Sequence, residues 1–319
     1  MAKLVLGVGS SHGPSIQSPP ERWAKLADGD TRDPRFDYQV LLKNARPGLD
    51  SEILIDVQRK RHAGAHAALK KIRDLVSEAR LDVAIVVSNA HRIRPGQHQP
   101  VFSVIGCERF PVAKRSDEPF NPDLRFVAEE KRKANTVAEA EGNADLAGHI
   151  LDRLIDDQFD VAYMEALPEG SVLDDAFVFP SEYMFGAPIP IVPFNVSRDL
   201  PNQATPGRCY DVGVALRRAI ESYPEDIRVG LVSSGGLSHQ IIDEELDRAV
   251  ISALVSGNRD AMAAFPRDRL NGAPGTPEII NWITVAGAMA PRRMTLIDYV
   301  PAYRSVAGTG HGLTFGYWA

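Results

Sequence analysis

Three of the eight histidines follow apolar runs with strand character, in segments far apart in the chain. Lys3-Leu4-Val5-Leu6-Gly7-Val8-Gly9 leads to His12, Leu81-Asp82-Val83-Ala84-Ile85-Val86-Val87 leads to His91, and Ile227-Arg228-Val229-Gly230-Leu231-Val232 leads to His239. In an open α/β sheet, ligands bind in the crevice beyond the carboxyl ends of the strands. Three imidazoles delivered there can converge on one site. Converging imidazoles suit a metal ion, an acid–base centre, or both.

A hard or borderline divalent metal usually also takes a carboxylate. Asp243, Glu244 and Glu245 follow His239 at the start of a predicted helix. Ile242, Leu246, Ala249, Val250 and Ala253 define its expected buried face, and Glu245 lies on the edge of that face. An inward carboxylate without a partner is costly, so Glu245 has two readings: a salt bridge to an arginine at the edge of the core, or a metal ligand. Two histidines and one carboxylate make the facial triad of non-haem Fe(II), and a third histidine would then be free for proton transfer. Spacing alone leaves a zinc hydrolase and three structural histidines as open alternatives.

Other motifs carry less. Gly9-Ser10-Ser11-His12-Gly13 fits a nucleophile elbow formally, but Gly13-Pro14 follows and no helical pattern begins there. Gly7-Val8-Gly9 lacks the third glycine of a dinucleotide fingerprint. His62 and His66 have the i, i+4 spacing of a helical chelate, but Arg59, Lys60, Arg61, Lys70 and Lys71 surround them, and they read as a solvated basic face. His311 falls in a Gly-rich tail read as a loop that could close over a pocket.

The elements that would position these groups alternate strand with helix. Helices are expected near 56–79, 143–157 and 208–223, with further ones starting near Asp243 and Asp260 and another over 276–289. Strands are expected at 100–107, 159–164, 188–196 and 294–300 besides the three named. The pattern predicts an α/β fold: a single layered domain over 1–319, with a central mixed sheet flanked by helices and the active site at the strand C-terminal ends. Polar excursions are expected near 13–55, with short helical pieces over the site, and near 108–142.

At 319 residues, 44% hydrophobic and 24% charged, the composition is that of an ordinary globular protein. A net charge of −6 gives no reason to expect nucleic acid or an anionic membrane as partner. No apolar run is long enough to span a bilayer. Two cysteines, Cys107 and Cys209, provide neither a disulfide framework nor a thiolate zinc site, and a cytoplasmic setting is the expectation.

Ser11-His12-Gly13-Pro14, the strand ending Ser88-Asn89-Ala90-His91, and Ser234-Gly235-Gly236-Leu237-Ser238-His239-Gln240 with Glu244-Glu245-Leu246-Asp247 resemble the class III extradiol ring-cleavage dioxygenases. That family includes protocatechuate 4,5-dioxygenase catalytic subunits and gallate and 3-O-methylgallate dioxygenases. The resemblance extends through Ile279-Ile280-Asn281-Trp282, Val285-Ala286-Gly287-Ala288-Met289 and the tail from Tyr299 to Trp318. It implies that His12, His91 and Glu245 hold Fe(2+), that His239 is the acid–base residue and that Ser238 contacts substrate. The reaction implied is ring opening of a small catecholic or related aromatic acid, amino- or polyhydroxy-substituted forms included, by O2. Arg92, Arg94 and Arg304 are the candidate cations for a substrate carboxylate. The chain departs from its relatives at Asn89-Ala90, where many have Asn-Asp, and at Asp175, which stands where they carry another histidine beside the substrate. Asp175 is thus a candidate catalytic or specificity residue. The alternatives are another metal-dependent enzyme on the same scaffold, such as a hydrolase, or a non-catalytic binding paralogue. A homodimer or homo-oligomer is expected, with a small partner subunit as an option.

Overall fold

A computed structural model describes residues 1–90, 100–113 and 137–319. In chain order its elements are β1 (Lys3–Ser10), α1 (Pro14–Gln17), α2 (Trp23–Asp30), α3 (Tyr38–Asn44), α4 (Leu49–Glu52), α5 (Ile55–Ala79), β2 (Val83–Ser88), β3 (Phe102–Ile105), β4 (Arg109–Ala113) and β5 (Val137–Glu141). Then follow α6 (Ala144–Asp156), β6 (Val161–Met164), α7 (Asp175–Tyr183), β7 (Ile191–Val196), α8 (Pro206–Ser222), β8 (Arg228–Ser234) and β9 (His239–Ile241). The last are α9 (Glu244–Ser256), α10 (Arg259–Ala263), α11 (Arg267–Leu270), α12 (Ile279–Met289), β10 (Thr295–Tyr303) and β11 (Thr309–Trp318).

The main sheet runs β10-β11-β1-β8-β2-β7-β3-β6, with β9 paired to β11. The neighbours β1, β8, β2 and β7 are mutually parallel, whereas β11 is antiparallel to β1 and β3 to β7. This is the expected mixed sheet flanked by helices. Strand β2 is buried along its whole length, as a central parallel strand covered on both faces must be. Val83, Ile85 and Val87 pack with Ile150, Leu216, Val250 and Ile283 on one face. Ala84 and Val86 pack with Leu69, Ile72, Val76 and Phe177 on the other. Burying five successive apolar side chains in this way is the main driving force for the layer.

Two expectations change. The Gly-rich tail is strand β11, interior to the sheet, with every residue from Thr309 to Gly316 buried. Its glycines sit where there is no room for a side chain; a Cβ on Gly312 would lie 2.1 Å from an oxygen of Asp247. Ser11 is followed by one turn of helix, α1, rather than by no helix, yet Ser11 is buried and its Oγ accepts the Thr314 N–H. The excursion after β1 carries short helices as expected, and β4 and β5 form a separate two-stranded sheet.

Candidate active site

Because β1, β8, β2 and β7 run in one direction, their C-terminal ends open on the same edge of the sheet. Polar side chains collect there in place of the apolar core. Ser88 Oγ donates to the Ser234 carbonyl at 2.8 Å. Asn281 Nδ2 donates to Asn89 Oδ1 at 2.6 Å, and Asn195 Oδ1 accepts the Ala90 N–H at 2.7 Å. His91, the expected second ligand, lies outside the described residues, as do Arg92 and Arg94.

His12 stands two residues beyond β1. Its Nδ1 is 3.0 Å from Ser234 Oγ, whose one proton goes to the Ala176 carbonyl 2.5 Å away. Ser234 therefore accepts from the His12 Nδ1–H, and the bare lone pair is on Nε2. His239 starts β9. Its Nδ1 is 2.8 Å from the Leu237 carbonyl, which can only accept, so its neutral form also has a bare Nε2. A turn whose glycine leaves space for the ring holds it in place: a Cβ on Gly275 would lie 1.9 Å from His239 Cδ2. The His311 ring stacks beside it, centroids 5.5 Å apart.

The carboxylate between these imidazoles is Glu278. Its Oε2 is 3.6 Å from His12 Nε2 and 3.3 Å from His239 Nε2, and its side chain is 1% exposed. Gly236 N–H donates to the same oxygen at 3.2 Å, and Arg198 NH1 donates to Oε1 at 2.5 Å. Burial pushes the Glu278 carboxyl up, but His239, His12 and Arg198 together outweigh it and hold the group well below the usual carboxylate range.

Glu245 is not in this site, which corrects the expectation. Its side chain is 86% exposed and pairs with Arg269 at 3.4 Å. The buried face of α9 is Leu246, Asp247, Val250, Ala253 and Leu254, while Ala249 is exposed. The helix is rotated relative to the expected stripe, so that Asp247 rather than Ala249 lies on its buried side, and the salt-bridge reading of Glu245 is the one realised. Ser238 is turned away as well: its Oγ and N–H both donate to Asp247, each at 2.7 Å. Arg304 is also committed elsewhere. Its guanidinium makes two 2.6 Å bonds to Asp30 with both side chains fully buried, and a third to Gln240. Asp175 is exposed in the first turn of α7, one residue before the Ala176 carbonyl that receives Ser234.

Sequence reading missed Glu278 and Arg198. A signal for Glu278 was present: an acid directly ahead of eleven residues that contain no charge, Ile279–Met289. Such an acid, forced toward the core, needs a strong partner. Arg198 carried no local signal beyond following a strand.

Among the described residues, no group of three His, Cys, Asp or Glu side chains is spaced to hold a metal ion. The described donors still fit one. The Nε2 atoms of His12 and His239 face one carboxylate oxygen, Glu278 Oε2, at 3.6 and 3.3 Å. The donor set is nitrogen and oxygen, with no thiolate, as ferrous iron and similar metals accept.

The family model described as the catalytic LigB subunit of aromatic ring-opening dioxygenase matches residues 51–313. A gallate dioxygenase from Pseudomonas putida is 32% identical over 196 residues, covering 57% of this chain and 56% of that protein. The chain thus aligns with little more than half the length of that relative. A match over most of the sequence, from α4 into β11, places the chain in the LigB family of aromatic ring-opening dioxygenase catalytic subunits.

Proposed function

We propose that this protein is a non-haem Fe(II) extradiol dioxygenase, in which His12, His91 and Glu278 hold the metal and His239 is the acid–base group. Glu278 Oε2, set between two imidazole Nε2 atoms at 3.6 and 3.3 Å, carries the reading. Bound Fe(II) would gather the two hydroxyl oxygens of the substrate and dioxygen at one centre and pass electron density from ring to oxygen.

The chain supplies the rest. Ser234 fixes the His12 tautomer so that Nε2 is the donor. Arg198 occupies the outer oxygen of Glu278 and keeps the carboxylate ionised, leaving Oε2 for the metal side. The bare Nε2 of His239 takes a proton from a substrate hydroxyl, and Glu278, 3.3 Å away, stabilises the resulting imidazolium. The same nitrogen returns the proton when the ring opens. The substrate class is a catecholic or trihydroxylated aromatic acid, supported by the similarity to a gallate dioxygenase.

The test is anaerobic reconstitution with Fe(II), metal analysis, and an oxygen electrode with a panel of catechols, gallates and aminophenols. One iron per chain and dioxygen uptake with at least one diol are expected. His239→Ala should keep its iron and lose about 10²–10⁴-fold in kcat. Tight zinc binding with no dioxygen uptake across the panel would overturn the proposal.

A further inference from the structure

Helix α5 carries His62 and His66 four residues apart, so both rings lie on one face. Their Nε2 atoms are 3.1 Å apart. The carbonyl oxygen of Ile16, in α1, is 3.0 Å from His66 Nε2. Trp23 closes the site beside His62, its ring centroid 6.3 Å from that of the imidazole. We propose that His62, His66 and the Ile16 carbonyl form a second metal site, separate from Glu278, for a borderline divalent cation such as zinc or cobalt.

The spacing suits one ion. Ligand atoms bonded at about 2.1 Å are about 3.0 Å apart in adjacent octahedral positions and about 3.4 Å apart in a tetrahedron. The separations of 3.1 and 3.0 Å lie at the octahedral end of this range. Imidazole nitrogen with one carbonyl oxygen is a borderline donor set. The carbonyl belongs to the final turn of a four-residue helix, where the helix's own hydrogen bonds leave acceptors over.

The basic surroundings that argue against a cation are largely offset in the folded chain. Arg59 pairs with Glu21 at 2.9 Å and Asp56 at 3.3 Å, Lys70 pairs with Asp74 at 2.7 Å, and Arg61 pairs with Glu52. Glu21 also acts electrostatically on His62.

Helix α1 connects the two sites. Ser15 Oγ is 2.7 Å from His311 Nδ1, and the Gln17 side chain donates to the His12 carbonyl. A cation on Ile16 would therefore hold the helix that follows His12.

The experiment is a titration of iron-loaded protein with CoCl2, followed by visible absorption and calorimetry, on wild type, His62→Ala and His66→Gln. One cobalt equivalent is expected in wild type, with affinity at least tenfold weaker in each variant and iron content unchanged. The cobalt equivalent held by His62 and His66 should persist in Glu278→Gln titrated without iron loading and be lost in the Glu278→Gln, His62→Ala double variant, which separates it from the catalytic centre. Equal stoichiometry and affinity in wild type, His62→Ala and His66→Gln would show a plain imidazole–imidazole hydrogen bond and overturn the proposal.

Discussion

At the scale of single residues, the choice between two glutamates decides the chemistry. Glu278 is buried and faces His12 and His239, whereas Glu245 faces solvent beside Arg269. Glu278→Gln keeps the shape but removes the charge. It should abolish tight iron binding and lower kcat/KM by more than about 100-fold, as expected for an oxygen donor in a low-dielectric site. Glu245→Gln should leave iron content and kcat unchanged and stability within about 0.5 kcal/mol, as for most surface substitutions. Metal analysis and steady-state kinetics on the pair check both, and iron loss in Glu245→Gln alone would reverse the assignment. Asp175 is argued at the same scale. It is exposed at the start of the helix that packs on Ser234 and His12. Asp175→His should change the ranking of kcat/KM across catechols and aminophenols without changing iron content. An unchanged ranking would confine Asp175 to the surface.

At the scale of elements, the site depends on contacts between strand ends rather than within any one segment. Ser234 ends β8 and fixes the ring of His12, which follows β1. Ser234→Ala removes the acceptor for Nδ1–H and leaves the Ala176 carbonyl without its donor. Iron affinity should fall about 10–100-fold, the usual effect of losing a group that orients a ligand, and calorimetric titration with Fe(II) reads it directly. Much of this was legible in advance. The strands leading to His12 and His239, and the helices between them, follow from apolar periodicity and hydrophilic breaks. The phase of α9 was not. A run containing Ile242, Leu246, Ala249 and Val250 admits two stripes that differ by a fraction of a turn, and only packing against β10 and α12 selects the one that buries Asp247. Strand β11 was not legible either. Glycine has low strand propensity, and close approach of Asp247, Ala302 and Met294, not preference, explains the glycines there.

At the scale of the whole molecule, buried charge couples the site to stability and pH. Asp247 is fully buried and accepts from Ser238 N–H, Ser238 Oγ and Tyr299 OH. Burial pushes its carboxyl up to about 6 despite these donors, and Asp243 adds to the rise. The folded value lies above the unfolded one, so this group favours the native state most at low pH, and the contribution is lost as pH rises through about 6. The shift corresponds to about 3 kcal/mol. Between pH 4.5 and 7, urea denaturation should therefore show a stability component falling with pH in wild type and absent in Asp247→Asn. Identical pH profiles would remove Asp247 as its source. Glu278 acts in the opposite sense: its depressed value makes its contribution fade only as pH falls below the unfolded carboxylate range. The sequence by itself determined that the chain is a layered α/β protein with histidines at strand ends, because burial patterns and turn residues are local properties. Only the tertiary structure decided which acid joins them, since Glu278 and Arg198 are selected by proximity across the fold, and the energy of a buried carboxylate depends on partners that no local window contains.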